Sequence, residues 1–305
     1  MDNIESLEQE RPCPVCGSKK YSIFASEQIQ SDQISEFSYS SRKIPEFMHL
    51  KLVSCDECGL IYAPLPTSKE SLKQLYTESS FDSINEEIYA ARTYLRIIKP
   101  FLKQFQQSDT VLEVGAGSGS LLSLLKKHGF SHVVGIEPSI EAIEQAEPDV
   151  INDIRQGIFN LDIVSDINPS LIISCMTLEH IYDPKEFLEA AHKIIKPDGL
   201  IVLVTHNQRA LINRILGLKS PIIDLEHLQL FSPRSLTILL KNTGFTNICV
   251  KSYFNTYSLR YWLRLLPLPI KFRKSIDRIF SSNIIGRLHM SFPVGNILTV
   301  AKPIK

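Results

Sequence analysis

No apolar run in this 305-residue sequence approaches the about 18–20 residues that a membrane-spanning helix needs. Nor is there an excess of charge of either sign, since 33 Lys and Arg balance 33 Asp and Glu. A general nucleic-acid binder carries a basic surplus, and a disordered chain pairs low hydrophobicity with strong net charge. With 44% hydrophobic residues and a formal charge of zero, the sequence fits neither class. Its first residues, MDNIESLEQE, lack the basic end and apolar stretch of a secretory signal, so a cytoplasmic protein is expected. A chain of this length buries about three quarters of its unfolded surface, so its core needs no disulfides. The six cysteines are therefore free for other chemistry.

Four of them fall in two C-x-x-C pairs, Cys13/Cys16 in C-P-V-C-G-S and Cys55/Cys58 in C-D-E-C-G-L, with 38 residues between the pairs. In each knuckle a glycine, Gly17 or Gly59, takes the tight turn that lets two thiolates point at one ion. Together the knuckles supply the four ligands of a structural Zn2+ site, at Cys13, Cys16, Cys55 and Cys58. A redox dithiol is the competing reading, but such a pair is usually single and set at a strand-to-helix turn. Cys175 and Cys249 lie in apolar stretches and read as core residues. The pattern breaks at A-P-L-P-T (63–67), so residues 1–66 read as a zinc-ribbon-like module, too small to be stable without its ion. Six basic against ten acidic side chains give this module a net −4, a poor match for phosphate.

Residues 67–107 show helical spacing (Leu72, Leu75 and Tyr76, then Tyr94, Leu95, Ile98 and Leu102) and read as connecting helices. From Thr110 short apolar runs alternate with helical stretches, the mark of a parallel α/β sheet over 108–305. Strands are expected at 110–114, 132–137, near 150–155, 171–176, 200–205, 247–253 and 296–303. Helices are expected after the glycine run, over about 184–195 and over about 233–242, with Ser139 as an N-cap between.

The chemistry gathers in L-E-V-G-A-G-S-G-S, where Gly115, Gly117 and Gly119 follow a strand and open a helix. Glu137, 22 residues after Gly115, ends the second strand, where a carboxylate accepts bonds from ribose hydroxyls. This arrangement suits a dinucleotide or an adenosyl ligand. Glu113 separates the two, because a carboxylate at the strand tip repels a pyrophosphate and attracts an ammonium group. A tight turn with no ligand is the third reading.

With E-V-G-A-G-S-G, G-I-E-P-S, L-E-H-I-Y-D-P and K-P-D-G-L-I-V-L together, the sequence over about 108–253 and the last strand resembles the class I S-adenosylmethionine-dependent methyltransferases. The cysteine knuckles and Y-A-P-L-P narrow the resemblance to bacterial zinc-ribbon methyltransferases of polysaccharide and natural-product pathways. It implies a Rossmann-like seven-stranded sheet with an antiparallel last strand and the cofactor over strands one and two. It also implies cofactor contacts from Gly115, Gly117 and Glu137, with Glu113 at the methionine end. The family often carries an acidic residue after strand three; here the stretch is Q-G-I-F-N, with Gln156 and Ile158 and no carboxylate.

An acceptor hydroxyl needs a base to take its proton. His180, His206 and His227 follow or approach strand ends, where ligands of such sheets bind, and His180 is the first choice, with Glu179 as its orienter or as a co-ligand for a metal. Holding the loop is the plainer role for each. The other histidines (49, 128, 132, 192 and 289) read as surface or packing residues. Between strands six and seven, where a short hairpin is usual, lies an insertion at 254–294. Over 256–290 it carries seven basic residues against Asp277, a net +6, around Trp262, the only tryptophan. A helical lid is one reading; contact with an anionic membrane surface, or a cap over an acidic, lipid-linked substrate, is the other. The expected acceptor is a small molecule or glycan, methylated at oxygen. The alternatives are an NAD-dependent oxidoreductase, against which Glu113 and a missing Tyr-x-x-x-Lys pair argue, a non-catalytic scaffold, and an RNA methyltransferase. The last lacks an Asn/Asp-Pro-Pro-Tyr motif, since the segment after strand four is C-M-T-L-E-H.

Overall fold

The computed structural model describes residues 10–30, 32, 34–35, 37–40, 46–81, 83–266 and 288–304. The N-terminal segment forms three antiparallel strands, β1 (Tyr21–Ala25), β2 (Leu52–Cys55) and β3 (Ile61–Tyr62). Each cysteine knuckle closes on itself: the Gly17 N–H donates to the Cys13 carbonyl at 2.8 Å and the Gly59 N–H to that of Cys55 at 2.9 Å. Both glycines take φ near +70°, a conformation costly for any residue with a Cβ.

Two helices follow, α1 (Lys69–Thr77), capped by the Ser68 hydroxyl, and α2 (Ile84–Leu102). The α/β region then runs β4 (Thr110–Val114), α3 (Ser120–His128), β5 (His132–Glu137), α4 (Ile140–Glu144), β6 (Ile154–Gln156), β7 (Leu171–Cys175), α5 (Pro184–Ile194) and β8 (Leu200–His206). After α6 (Leu211–Leu216) come β9 (Gln229–Leu230), α7 (Pro233–Asn242), β10 (Phe245–Ser252), β11 (Asn255–Ser258), α8 (Leu259–Arg264), β12 (His289–Phe292) and β13 (Asn296–Pro303). Seven strands make the main sheet in the order β10-β13-β8-β7-β4-β5-β6. The five from β6 to β8 are parallel, and β13 runs antiparallel to both of its neighbours. This is the expected seven-stranded methyltransferase sheet with its reversed last strand.

Side chains alternate across each strand, which splits the core in two. Leu112, Val114, Ile172 and Leu203 face one cluster, with Phe187 and Leu188 of α5 and Leu236 and Leu240 of α7. Val111, Val133, Ile173 and Val202 face the other, with Ile98 of α2 and Leu122 and Leu125 of α3. Cys13, Cys55 and Cys58 belong to the first cluster, so the cysteine knuckles pack on the α5–α7 side. The N-terminal sheet is four-stranded, because β9 pairs with β3, Leu230 opposite Ile61 and Gln229 opposite Tyr62.

Three details depart from the sequence expectation. Residues 151–153 form a 3-10 turn, and only Ile154–Gln156 pair as the third strand. Lys126 holds the Asp149 carbonyl and the Asp153 carboxylate there, which favours a turn over extended backbone. The sixth strand starts at Phe245 and passes a bulge at Asn247, where φ is +50°, so its alternation is broken. The insertion is not purely helical: its described ends pair as β11 and β12, with α8 beside them. Lys271, Arg273, Lys274, Asp277, Arg278 and Arg287 of the basic stretch lie outside the described residues. Among the described residues no helix is long and apolar enough to cross a membrane.

Candidate active site

The glycine loop leaves the carboxyl end of β4 and enters α3. Gly115 takes φ +78°, and a Cβ there would lie 2.2 Å from the Thr177 hydroxyl, so only glycine fits. Glu137, at the end of β5, accepts from the Gly117 N–H at 2.8 Å and the Ser139 N–H at 2.9 Å. Each carboxylate oxygen has a second lone pair to offer a hydroxyl. Burial lifts the Glu137 pKa to about 7; the two N–H bonds pull it back down and the charge of Glu87 adds to the rise.

Glu113 is 3% exposed and its Oε2 has no hydrogen-bond partner. Burial first, and then the nearby Glu87 and Glu137, push its pKa well above the carboxylate range. A buried carboxylate with an orphaned oxygen is costly unless a cation comes to it, and the ammonium and sulfonium of S-adenosylmethionine are cations of the right kind. Glu87 was invisible to sequence reasoning, because it sits in the first turn of α2 with nothing local to single it out. Its carboxylate accepts from the Ser118 N–H at 3.1 Å, the Ser118 hydroxyl at 2.7 Å and the Ser120 N–H at 3.4 Å. It thereby fills the position at the α3 N-terminus that an anion would take. Three carboxylates around one glycine loop repel a diphosphate, which argues against a dinucleotide.

A cavity of about 1350 Å³ is lined by Glu113, Gly115, Gly117 and Glu137 and also by His180, His206 and His227. Gly119 stands one step back, as the residue before α3, against Ile154 and Val150. The three imidazoles come from separate segments and meet: the rings of His180 and His227 are 4.8 Å apart, those of His206 and His227 5.3 Å. His206 is the last residue of β8 rather than the first beyond it. His227 Nδ1 lies 2.9 Å from the Ile222 carbonyl, and His206 Nδ1 lies 2.8 Å from Asn296 Oδ1 at the start of β13. Since an oxygen can only accept, each Nδ1 carries a proton, and in the neutral ring Nε2 keeps the lone pair. His180 Nδ1 is 3.2 Å from the Glu226 carbonyl, 3.4 Å from the Tyr76 hydroxyl and 3.7 Å from Glu226 Oε2.

Glu179 does not serve His180 as expected. It is fully buried, and its Oε1 accepts from the His206 N–H at 2.6 Å while its carbonyl accepts from Leu228 N–H. Burial raises its pKa to about 7. The residue stitches the loop after β7 to the end of β8 and to the chain entering β9.

The four N-terminal cysteines converge. Cys13 and Cys58 are 3.5 Å apart, as are Cys16 and Cys55, and all four sulfurs lie within 4.8 Å of one another. Thiolates bound tetrahedrally at about 2.3 Å lie about 3.8 Å apart, so the cluster has the dimensions of a four-thiolate metal site. Two residues before Cys13, Arg11 ties this cluster to the cavity. Its guanidinium donates to the carbonyls of Ala63 (2.8 Å), Tyr182 (2.7 Å) and Leu228 (3.1 Å) and to Gln229 Oε1 (3.2 Å). Arg11, Glu226 and Asn296 carry no signal in the sequence, because each acts across 46 or more residues of chain.

Residues 86–250 match a family described as "Methyltransferase domain". The Ubiquinone biosynthesis O-methyltransferase of Neisseria meningitidis is 29% identical over 105 residues, 32% of this chain and 44% of that one. Its namesake from Coxiella burnetii is 33% identical over 129 residues, 37% of this chain and 53% of the other. The chain thus spans about half the length of the curated relatives it matches. A SAM dependent methyltransferase from Archaeoglobus fulgidus aligns with a TM-score of 0.49 at 19% identity, over 77% of this chain and 100% of the other.

Proposed function

We propose, for a chain that belongs to the S-adenosylmethionine-dependent methyltransferase family, that it methylates a hydroxyl of a small-molecule or glycan acceptor in polysaccharide or secondary-metabolite synthesis. When bound, S-adenosylmethionine supplies an electrophilic methyl for in-line displacement. The residues that would hold it are Glu113 toward the methionine ammonium, Glu137 toward the ribose, and Gly115 and Gly117, which let the backbone come close, while Gly119 makes the turn into α3 against Ile154 and Val150. His180, His206 and His227 would position the acceptor and receive its proton. Their convergence in the cavity that Glu113 and the glycine loop also line is the observation that carries this reading.

The cavity volume exceeds the about 300–1,000 Å³ of a single small-molecule site, leaving room for an acceptor beside the cofactor. Tyr257, Tyr261 and Trp262 contribute to its lining and suit the flat face of a sugar or an aromatic ring. The relatives' name, an O-methyltransferase, supports oxygen as the methylated atom. Zn2+ in the cysteine site would be structural, since four thiolates leave no open position. Exposed Phe254, Leu266, Leu288 and Phe292 border the basic stretch within 256–290 and favour peripheral membrane contact or a lipid-linked acceptor. Co-sedimentation with anionic liposomes, weakened by salt, is the expected result there; equal recovery in the supernatant with and without liposomes refutes it.

The central test is calorimetric and kinetic. S-adenosylmethionine binds the wild type and fails to bind Glu137→Ala, and a panel of hydroxylated glycans and phenols yields S-adenosylhomocysteine with the wild type. Loss of turnover with retained cofactor binding is expected of the three histidine variants. Cofactor binding unaffected by Glu137→Ala, or full turnover by all three variants, overturns the assignment.

A further inference from the structure

We infer that His180, Glu226 and His227 form a second metal site, one that takes a borderline divalent ion such as Zn2+ and presents it to the acceptor. The inference rests on the reading of this cavity as the acceptor site. One ligand atom from each of the three residues lies within 4.8 Å of the others. His180 Nδ1 and Glu226 Oε2 are 3.7 Å apart; without the ion this Nδ1–H faces the Glu226 carbonyl at 3.2 Å, and ion binding requires that proton to move to Nε2. Two ligands bound at about 2.1 Å, at angles between tetrahedral and trigonal, lie about 3.4–3.6 Å apart, so the pair is already spaced for one ion.

Glu226 is 7% exposed and His227 8%, so both side chains lie away from bulk water, facing the cavity.

The ligand loops are also braced as a metal site requires. The His227 Nδ1–H bond to the Ile222 carbonyl is the outer-sphere contact that fixes a ligating histidine and leaves Nε2 for the ion. Gln229, fully buried, donates from its Nε2 to the carbonyls of Leu178 (2.8 Å) and Ile181 (2.7 Å), on either side of His180. Arg11 grips the same two loops through Tyr182 and Leu228. The set therefore comes preassembled, whereas the sequence spreads it over 47 residues of chain.

Two histidines and a carboxylate leave coordination positions open, unlike the closed four-thiolate set. An acceptor hydroxyl taking an open position is acidified by the ion. Its proton passes to His206 Nε2, its oxygen forms the new O–C bond, the S–C bond of the sulfonium breaks, and that electron pair stays on sulfur as a thioether.

Cobalt separates this site from the cysteines, because only a thiolate site gives intense ligand-to-metal absorption. Chelator-stripped protein dialysed against Co2+ is expected to hold two ions per chain, one with the thiolate band and one without. Glu226→Gln and His227→Ala are expected to hold one, with the thiolate band and S-adenosylmethionine binding retained as evidence of folding. Affinity for the second ion falls by more than about 100-fold, the upper end of what outer-sphere partners alone cost. One ion per chain in the wild type, or two in both variants, overturns the site. Turnover scores the underlying reading separately: product formed by a one-ion wild type sinks only the metal, and two ions without product on any acceptor sink only the acceptor assignment.

Discussion

Replacing Arg11 with methionine tests whether the cysteine cluster and the loops carrying His180 and His227 are one mechanical unit. Methionine keeps an apolar stem against the rings of Tyr62 and Tyr182, over which the guanidinium sits at 5.9 and 5.7 Å. What disappears is the four-pronged donor. Burial draws the pKa of Arg11 down to about 10, so it is cationic at neutral pH and its bonds are charge-assisted. Without it, the carbonyls of Ala63 and Tyr182 and the Gln229 side-chain oxygen lose that donor, while the Leu228 carbonyl keeps the N–H of Ala63 at 2.9 Å. An orphaned buried acceptor costs about 1–3 kcal/mol. Three of them, offset in part by water entering the gap and by relief of the buried charge, give an expected loss of about 3–5 kcal/mol. Urea unfolding with the bound ion quantified in each sample measures it. Turnover should fall more than cofactor affinity, because the freed carbonyls belong to the loops carrying His180 and His227. Arg11→Lys should recover little, since an ammonium cannot reach four acceptors in a fork. A loss below about 1 kcal/mol with unchanged turnover would refute the coupling.

Glu137 carries a pH signature. Its folded pKa of about 7 lies above the ordinary 4.5, so it favours the folded state least at high pH, and the wild type loses stability relative to Glu137→Gln as pH rises from 5 to 8. The difference amounts to about 3 kcal/mol for a shift of this size; a pH-independent gap between the two unfolding curves tells against it. Gly115→Ala combines a positive φ with contact against Thr177, so it should cost about 1–3 kcal/mol and weaken cofactor binding on the order of tenfold, read by titration calorimetry. Removing the ion from the cysteine cluster should lower the melting temperature of the whole chain in one transition, because Cys13, Cys55 and Cys58 share a core with Leu236 and Phe245. A separate early transition in a calorimetric scan would count against that sharing.

The strands of the large sheet were legible because apolar runs such as T-V-L-E-V and L-I-V-L-V-T are long enough to carry their own period, and β7, buried at every position, reads as a continuous apolar run. The glycine loop between β4 and α3 was legible through glycines whose spacing is local. The meeting of the three histidines followed from their places near strand ends, but the partners that fix their rings did not. Asn296 reaches His206 because β13 pairs beside β8, and Glu226 reaches His180 because two loops are braced together. β9 is two residues long and carries no period at all, so its place beside β3 exists only in three dimensions. Lys126 and Asn247 shifted two strand boundaries through one side-chain clamp and one left-handed residue.

The pairing of β3 with β9 also orders events on the ribosome. More than 160 residues separate the two strands in the chain, so at about 5–20 residues per second the fourth strand follows the third by roughly 8–34 seconds. During that interval the thiols of both knuckles are already made, while the carbonyls that Arg11 grips at Tyr182 and Leu228 do not yet exist. Ion capture is therefore open to the nascent N-terminal segment well before it can dock. Meanwhile β3 waits as a bare apolar edge of Ile61 and Tyr62, which a holding chaperone, or a neighbouring nascent chain, can reach first.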